Sequence, residues 1–169
     1  MSFDYCKEAK RLIESIGEER LAPVWGWQYC EYDYEFIGFI DKYAELNVPK
    51  DFTVIDIGCN QAVQADYFKS HKQYIGVEPE VPPEHCLPQD NAVYYHQTAQ
   101  EFIEDTLPRL IADGLSLKKT FVICSAVPDK EAQRLVAETF PYHRVTYPSN
   151  GSDVVYDAPV PLKQRDMER

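Results

Sequence analysis

The residues of this chain whose types and spacing could do chemistry fall in four short stretches. The first is Asp56-Ile57-Gly58-Cys59-Asn60, a carboxylate two residues ahead of a glycine. The second is Glu78-Pro79, the third Thr98-Ala99, and the fourth runs from Ser125 to Asp129. Ionised carboxylates only accept hydrogen bonds, so Asp56 and Glu78 suit a pair of vicinal hydroxyls or an ammonium group. For proton transfer the candidates are Asp129, Tyr29 and His96. A lone histidine is more often a polar residue at a sheet's rim than a base. The four histidines show no H-x-x-x-H spacing, and the five cysteines are odd in number with no C-x-x-C, so neither a metal site nor a disulfide framework is expected.

The elements around these residues read as alternating strands and helices. Residues 53–57 and 74–77 are β-branched apolar runs of the kind that form buried parallel strands. Between them, Ala62, Val63, Ala65, Tyr67 and Phe68 recur at roughly helical spacing. Strand, turn, helix and strand together make one βαβ unit of about thirty residues, with ligand sites expected at the carboxyl ends of its strands. Further strands are expected at 92–96 and 119–125, and helices at 101–115 (with Pro108 as a kink) and 129–140, the latter capped by Asp129. Thr98 with Glu101 forms a capping-box pattern. Residues 142–147 and 153–157 alternate around Ser149-Asn150-Gly151-Ser152, a strong hairpin signal. Ahead of this core, residues 4–21, with Gly17 as a stop or weak point, and residues 34–46 read as helices. The run 24–36 between them holds both tryptophans of the chain, as packing material or as a lid over a site.

These motifs resemble those of class I S-adenosylmethionine (SAM)-dependent methyltransferases. In that family an acid at the end of the first strand opens a glycine-rich turn beneath the methionine part of SAM, and an acid after the next strand takes both ribose hydroxyls. The pattern D/E-x-G-x-G-x-G is met here by Asp56-x-Gly58-x-Asn60-x-Ala62, with Asn and Ala in place of two glycines. Asn tolerates positive φ better than most residues, and Ala is the smallest side chain after Gly. The resemblance implies that Asp56, Gly58, Cys59 and Asn60 surround the methionine moiety. Glu78, with Pro79 beside it, would hold the ribose, Thr98 and Ala99 the adenine edge, and Ser125 would border the reacting methyl. It implies an α/β, three-layer Rossmann-like fold: a mostly parallel sheet with a C-terminal antiparallel hairpin and an N-terminal helical extension. The divisions are residues 1–50 for the helical and aromatic extension, 51–162 for the SAM-binding core and 163–169 for a polar tail. Ser125-Ala126-Val127-Pro128 does not match the Asn-Pro-Pro-Tyr type motif of many nitrogen methylators in the family, which counts against adenine-N6 or glutamine-N5 methylation.

Two rivals fit the first stretch less well. A nicotinamide-binding turn needs G-x-G-x-x-G, and residues 58–63 lack two of the three glycines. An ordinary α/β core with acidic strand ends is the other. With 17 basic and 28 acidic residues the net charge of −11 repels phosphate backbones, so nucleic acid is an unlikely partner. No run approaches a membrane span and the first residues are no signal peptide, so a cytoplasmic chain is expected. The resemblance therefore implies a small methyltransferase acting on a small molecule or a protein group, with SAM as cofactor. The competing class is a non-catalytic module of the same fold that has lost efficient SAM binding.

Overall fold

The computed structural model describes residues 5–25, 48–125, 127–147 and 153–161. The expected helix at 34–46, most of the aromatic run, Tyr29, and the turn at 149–152 lie outside the described residues.

Among the described residues six strands form one sheet: β1 (Thr53–Ile57), β2 (Gln73–Val77), β3 (Ala92–Tyr95), β4 (Thr120–Cys124), β5 (His143–Tyr147) and β6 (Asp153–Ala158). Their order is β3-β2-β1-β4-β5-β6, every neighbour pair being parallel except β5 with β6. The fold is thus α/β, with a mostly parallel sheet that finishes in an antiparallel pair.

β1 and β4 are buried along their whole length, because the sheet is covered on both faces. Strand alternation sends Val54, Tyr74, Phe121 and Ile123 to one face, where they meet Leu12 and Ile16 of α1 (Tyr5–Ile16), Leu21 of α2 (Glu18–Leu21) and Phe68. Ile55, Ile57, Val122 and Cys124 go to the other face. There they pack on Phe102 and Leu107, and on Val136 of the helix Lys130–Thr139. Both-face coverage is what continuous β-branched runs require.

The helices are interrupted or altered in three places. α1 and α2 are separated at Gly17, whose φ of 87° no helix accommodates. The segment after β1 is a 3-10 helix, Val63–Phe68, rather than an α-helix. Third, the helix opening at Thr98 is composite: a short α-helical start (α3, Ala99–Glu101), a π-helical turn over Phe102–Thr106 and a second α-helical part (α4, Leu107–Ala112). In the wide turn Leu107 N–H reaches back five residues to the Phe102 carbonyl. It ends just before Pro108, which can donate no hydrogen bond and crowds the carbonyl four residues back. The last described helix, α5 (Lys130–Thr139), starts as expected on Asp129, whose carboxylate accepts from Glu131 and Ala132 N–H. Among the described residues no helix is long and apolar enough to cross a membrane.

Candidate functional site at the carboxyl ends of the central strands

The turn after β1 is built on three left-handed residues: Gly58 at φ 80°, Asn60 at 53° and Ala62 at 58°. Gly58 adopts this conformation freely, Asn at modest cost, whereas Ala carries a Cβ penalty of about 1 kcal/mol. Neighbouring groups hold the turn. Gly58 N–H and Cys59 N–H both donate to the Val77 carbonyl, at 2.8 and 3.3 Å. Asn60 N–H donates to Glu78 Oε1 at 3.2 Å. The Gln64 amide bridges the Cys59 carbonyl, at 3.0 Å, and Asp56 Oδ2, at 2.7 Å.

Beyond this turn lies a cavity of about 470 Å³. Its walls come from the ends of β1 and β2 (Ile57, Gly58, Asn60, Val77, Glu78, Pro79, Glu80), from the start of the composite helix (Thr98, Ala99, Gln100), and from the stretch after β4 and the start of α5 (Val127, Pro128, Asp129, Ala132). That volume lies in the range of small-molecule sites. The walls carry three carboxylates and no lysine or arginine. A polyphosphate would meet only like charge there, while a cationic or hydroxyl-rich ligand would not.

Of the residues singled out from sequence, the structure gathers Gly58, Asn60, Glu78, Pro79, Thr98, Ala99 and Asp129 around this one cavity. Glu78 is the most constrained. It is 6 % exposed, and each of its oxygens already accepts a backbone N–H, from Asn60 and, at 2.7 Å, from Glu80. A carboxylate oxygen has two lone pairs, so one on each remains for a ligand.

Thr98 has both its N–H and its hydroxyl engaged in the capping box: Glu101 N–H donates to Thr98 Oγ1 at 3.1 Å and Thr98 N–H to Glu101 Oε1 at 3.0 Å. These bonds hold the Glu101 carboxyl below its ordinary range. The Asp129 carboxylate serves as the cap of α5, and Gln133 steadies the preceding stretch by donating to the Val127 carbonyl at 2.7 Å.

Four candidates do not line the cavity. Asp56 is fully buried one residue inside the end of β1, on the face of Val54 and Tyr74, where its Oδ2 takes hydrogen bonds from the Tyr74 hydroxyl and the Gln64 amide. Burial pushes its carboxyl up to about 6; the bonds from Tyr74 and Gln64 pull it down, and the nearby charge of Glu78 adds to the rise. Asp56 therefore braces the turn from beneath, through Gln64. The Cys59 side chain is 1 % exposed and turned into the same apolar cluster. Ser125 is buried at the end of β4, and His96 is exposed beyond β3.

Sequence reasoning did not single out Glu80, Gln100 or Ala132, and took in Val127 and Pro128 only as part of the 125–129 stretch; with Ile57 and Val77 these residues complete the walls. The signal for Val127 and Pro128 was their position after a central strand. Glu80 carried only that of being a second acid two residues beyond Glu78. Among the described residues no group of three or more His, Cys, Asp or Glu is placed to hold a metal ion. No protein-family model matches the sequence, and a search of curated proteins returns no significant match.

Proposed function

We propose that this cavity binds SAM and that the chain is a small SAM-dependent methyltransferase of Rossmann-like, three-layer architecture, acting in the cytoplasm on a small molecule or a protein group. The observation that carries the reading is Glu78. It is a nearly buried carboxylate at the end of the strand next to β1, held by two backbone N–H groups with one free lone pair per oxygen, and it faces a cavity of suitable size. That is an arrangement for two vicinal hydroxyls. The chemistry of the walls fits the rest of the ligand: SAM carries an ammonium and a sulfonium, and the cavity is acidic. SAM supplies a methyl carbon bearing a good leaving group.

The chain's part is alignment and exclusion of water. Glu78 fixes the ribose, the 58–60 turn the methionine portion, and Thr98 and Ala99 the adenine edge. Val127 and Pro128 form the wall nearest the acceptor. Asp129 is the cavity carboxylate that could take a proton from the acceptor, although its Oδ1 is committed to capping α5.

A second reading has its own observation. Asn60 and Ala62 stand in left-handed conformations that the resembled turn gives to glycine, and a 3-10 helix follows where an α-helix would start. A binding or regulatory module with this fold and no efficient SAM binding would show the same departures.

Thermal unfolding with and without SAM or S-adenosylhomocysteine separates the two. SAM at 100 times its dissociation constant adds about 2.7 kcal/mol to stability. A flat response at millimolar ligand leaves only the module. If binding is seen, Glu78→Ala is expected to weaken it at least tenfold, and a variant that binds as the parent does refutes the ribose assignment.

A further inference from the structure

The turn beside the cavity contains a thiol that the proposed chemistry does not use. Cys59 Sγ lies 3.6 Å from the Asn60 carbonyl oxygen, and Cys86 Sγ lies 3.5 Å from that same atom. The two thiols thus converge on one carbonyl oxygen from two separate loops. Both are buried, at 1 % and 3 % exposure.

Their meeting depends on an empty position across the sheet. Gly76, level with Asp56, has no side chain, and a Cβ there would stand 2.8 Å from Cys59 Sγ. The two loops are already joined by Leu87 N–H donating to the Gln61 carbonyl at 2.9 Å. Cys86 follows a short 3-10 helix, Pro83–His85, in a proline-dense surface loop, so its backbone is stiff and its thiol stays aimed at the turn.

We infer that Cys59 and Cys86 form a reversible disulfide under oxidation, clamping the 58–62 turn to the 82–87 loop. With a low-molecular-weight disulfide such as glutathione disulfide as oxidant, the Cys86 thiolate attacks one sulfur and expels a thiolate. The Cys59 thiolate then attacks the Cys86 sulfur and expels the second. The protein loses two electrons and two protons, and the reagent is reduced to two thiols. Both thiols are buried and burial holds Cys59 protonated, so each step waits on local opening of the loops.

The clamp bears on the cavity through one neighbour. Cys59 precedes Asn60, whose N–H holds Glu78 Oε1, so drawing Cys59 toward Cys86 moves that donor against Glu78. This consequence rests on the SAM reading; the bond itself does not.

The test equilibrates the full chain with reduced and oxidised glutathione over a range of ratios, alkylates free thiols in denaturant, and maps peptides by mass spectrometry. A Cys59–Cys86 linked peptide, cleaved by dithiothreitol and lost in Cys86→Ser, is the expected result, with Cys124 still fully alkylated. The inference is overturned if both thiols stay alkylatable at the most oxidising ratio, or if either pairs instead with Cys6 or Cys30. The thermal response to SAM is then read on both forms. A weaker response in the oxidised form supports the link to the cavity, and an equal one overturns that link. A flat response in both forms, with the linked peptide present, sinks the SAM reading and leaves the disulfide standing.

Discussion

Two levels of the same pair of strands, one step apart, treat their acids in opposite ways. On the inner level Asp56 of β1, Gly76 of β2 and Tyr94 of β3 lie side by side, and the Tyr74 ring rises from the level below to reach Asp56. That level is closed: Asp56 is fully buried, and the Cys59 thiol and the Tyr94 ring crowd the space over Gly76. Two residues further along, about 7 Å by strand rise, stand Gly58 and Glu78, and the cavity opens there. Two acids that look equivalent in sequence thus do different work. One is a strut under the turn, shielded from any ligand; the other is a wall of the cavity. Position along the strand, relative to where the packing stops, separates them.

The strongest way to break this contrast is to fill the inner level. A Cβ at position 76 would sit 2.6 Å from Tyr94 Cδ1 and 2.8 Å from Cys59 Sγ. Gly76→Ala is therefore expected to cost about 3 kcal/mol, the upper range for overpacking a tight core, read by urea denaturation. Combining it with Cys59→Ala should recover part of that loss, since the ring contact remains. A Gly76→Ala protein as stable as the parent would mean that the inner level is not closed.

Tyr74→Phe comes next. It removes one of two donors to a buried carboxylate and should cost about 2 kcal/mol at pH 8. The loss should shrink at pH 5, where Asp56 is protonated. An unchanged loss between the two pH values would place the Asp56 charge elsewhere.

Asp56→Asn is expected to stabilise. Its amide oxygen can accept from both Tyr74 and Gln64, and it removes a charge from the core. A carboxyl whose folded pKa is raised gives its full contribution to stability below the unfolded value, about 4. It loses that contribution as pH rises through its folded value, about 6. Between these limits the parent should therefore lose stability with rising pH, and the variant should lack that slope. The gain near pH 7.5 is expected to be about 1.5 kcal/mol, less than the full linkage value because the new amide N–H has no partner. Loss of SAM binding in this variant, with stability kept, would make Asp56 a ligand after all.

How much of this was written in the sequence depends on range. β1, β2 and β4 were legible because continuous β-branched runs admit little else. So were the Asp129 cap and the Thr98 box, whose partners lie within three residues. The 3-10 helix was not. Ala62, Val63, Ala65 and Phe68 sit at helical steps, but left-handed Asn60 and Ala62 delay entry until position 63. Five of the six helical residues are then buried, so no one-sided pattern exists to read. The site divides in the same way. That acids would stand at strand ends was visible; that Tyr74 would capture one of them, and that Cys86 would return to Cys59, depends on contacts between segments far apart in the chain.

Thr98 gives the finest division, because it belongs to a cap and to the cavity at once. Thr98→Ala removes the hydroxyl that accepts from Glu101 N–H and should cost about 1 kcal/mol of stability. By itself that result says nothing of the ligand. Thr98→Asp separates the roles: aspartate caps as well as threonine and favours a helix start electrostatically, so stability should stay within about 0.5 kcal/mol. It also puts a charged acceptor where the resembled family has one, which should tighten SAM binding by roughly threefold to tenfold if the adenine amine lies there. Equal affinity of Thr98→Asp and the parent, measured by calorimetry on proteins of equal stability, would leave Thr98 a cap alone and move the adenine edge to Ala99 and Gln100.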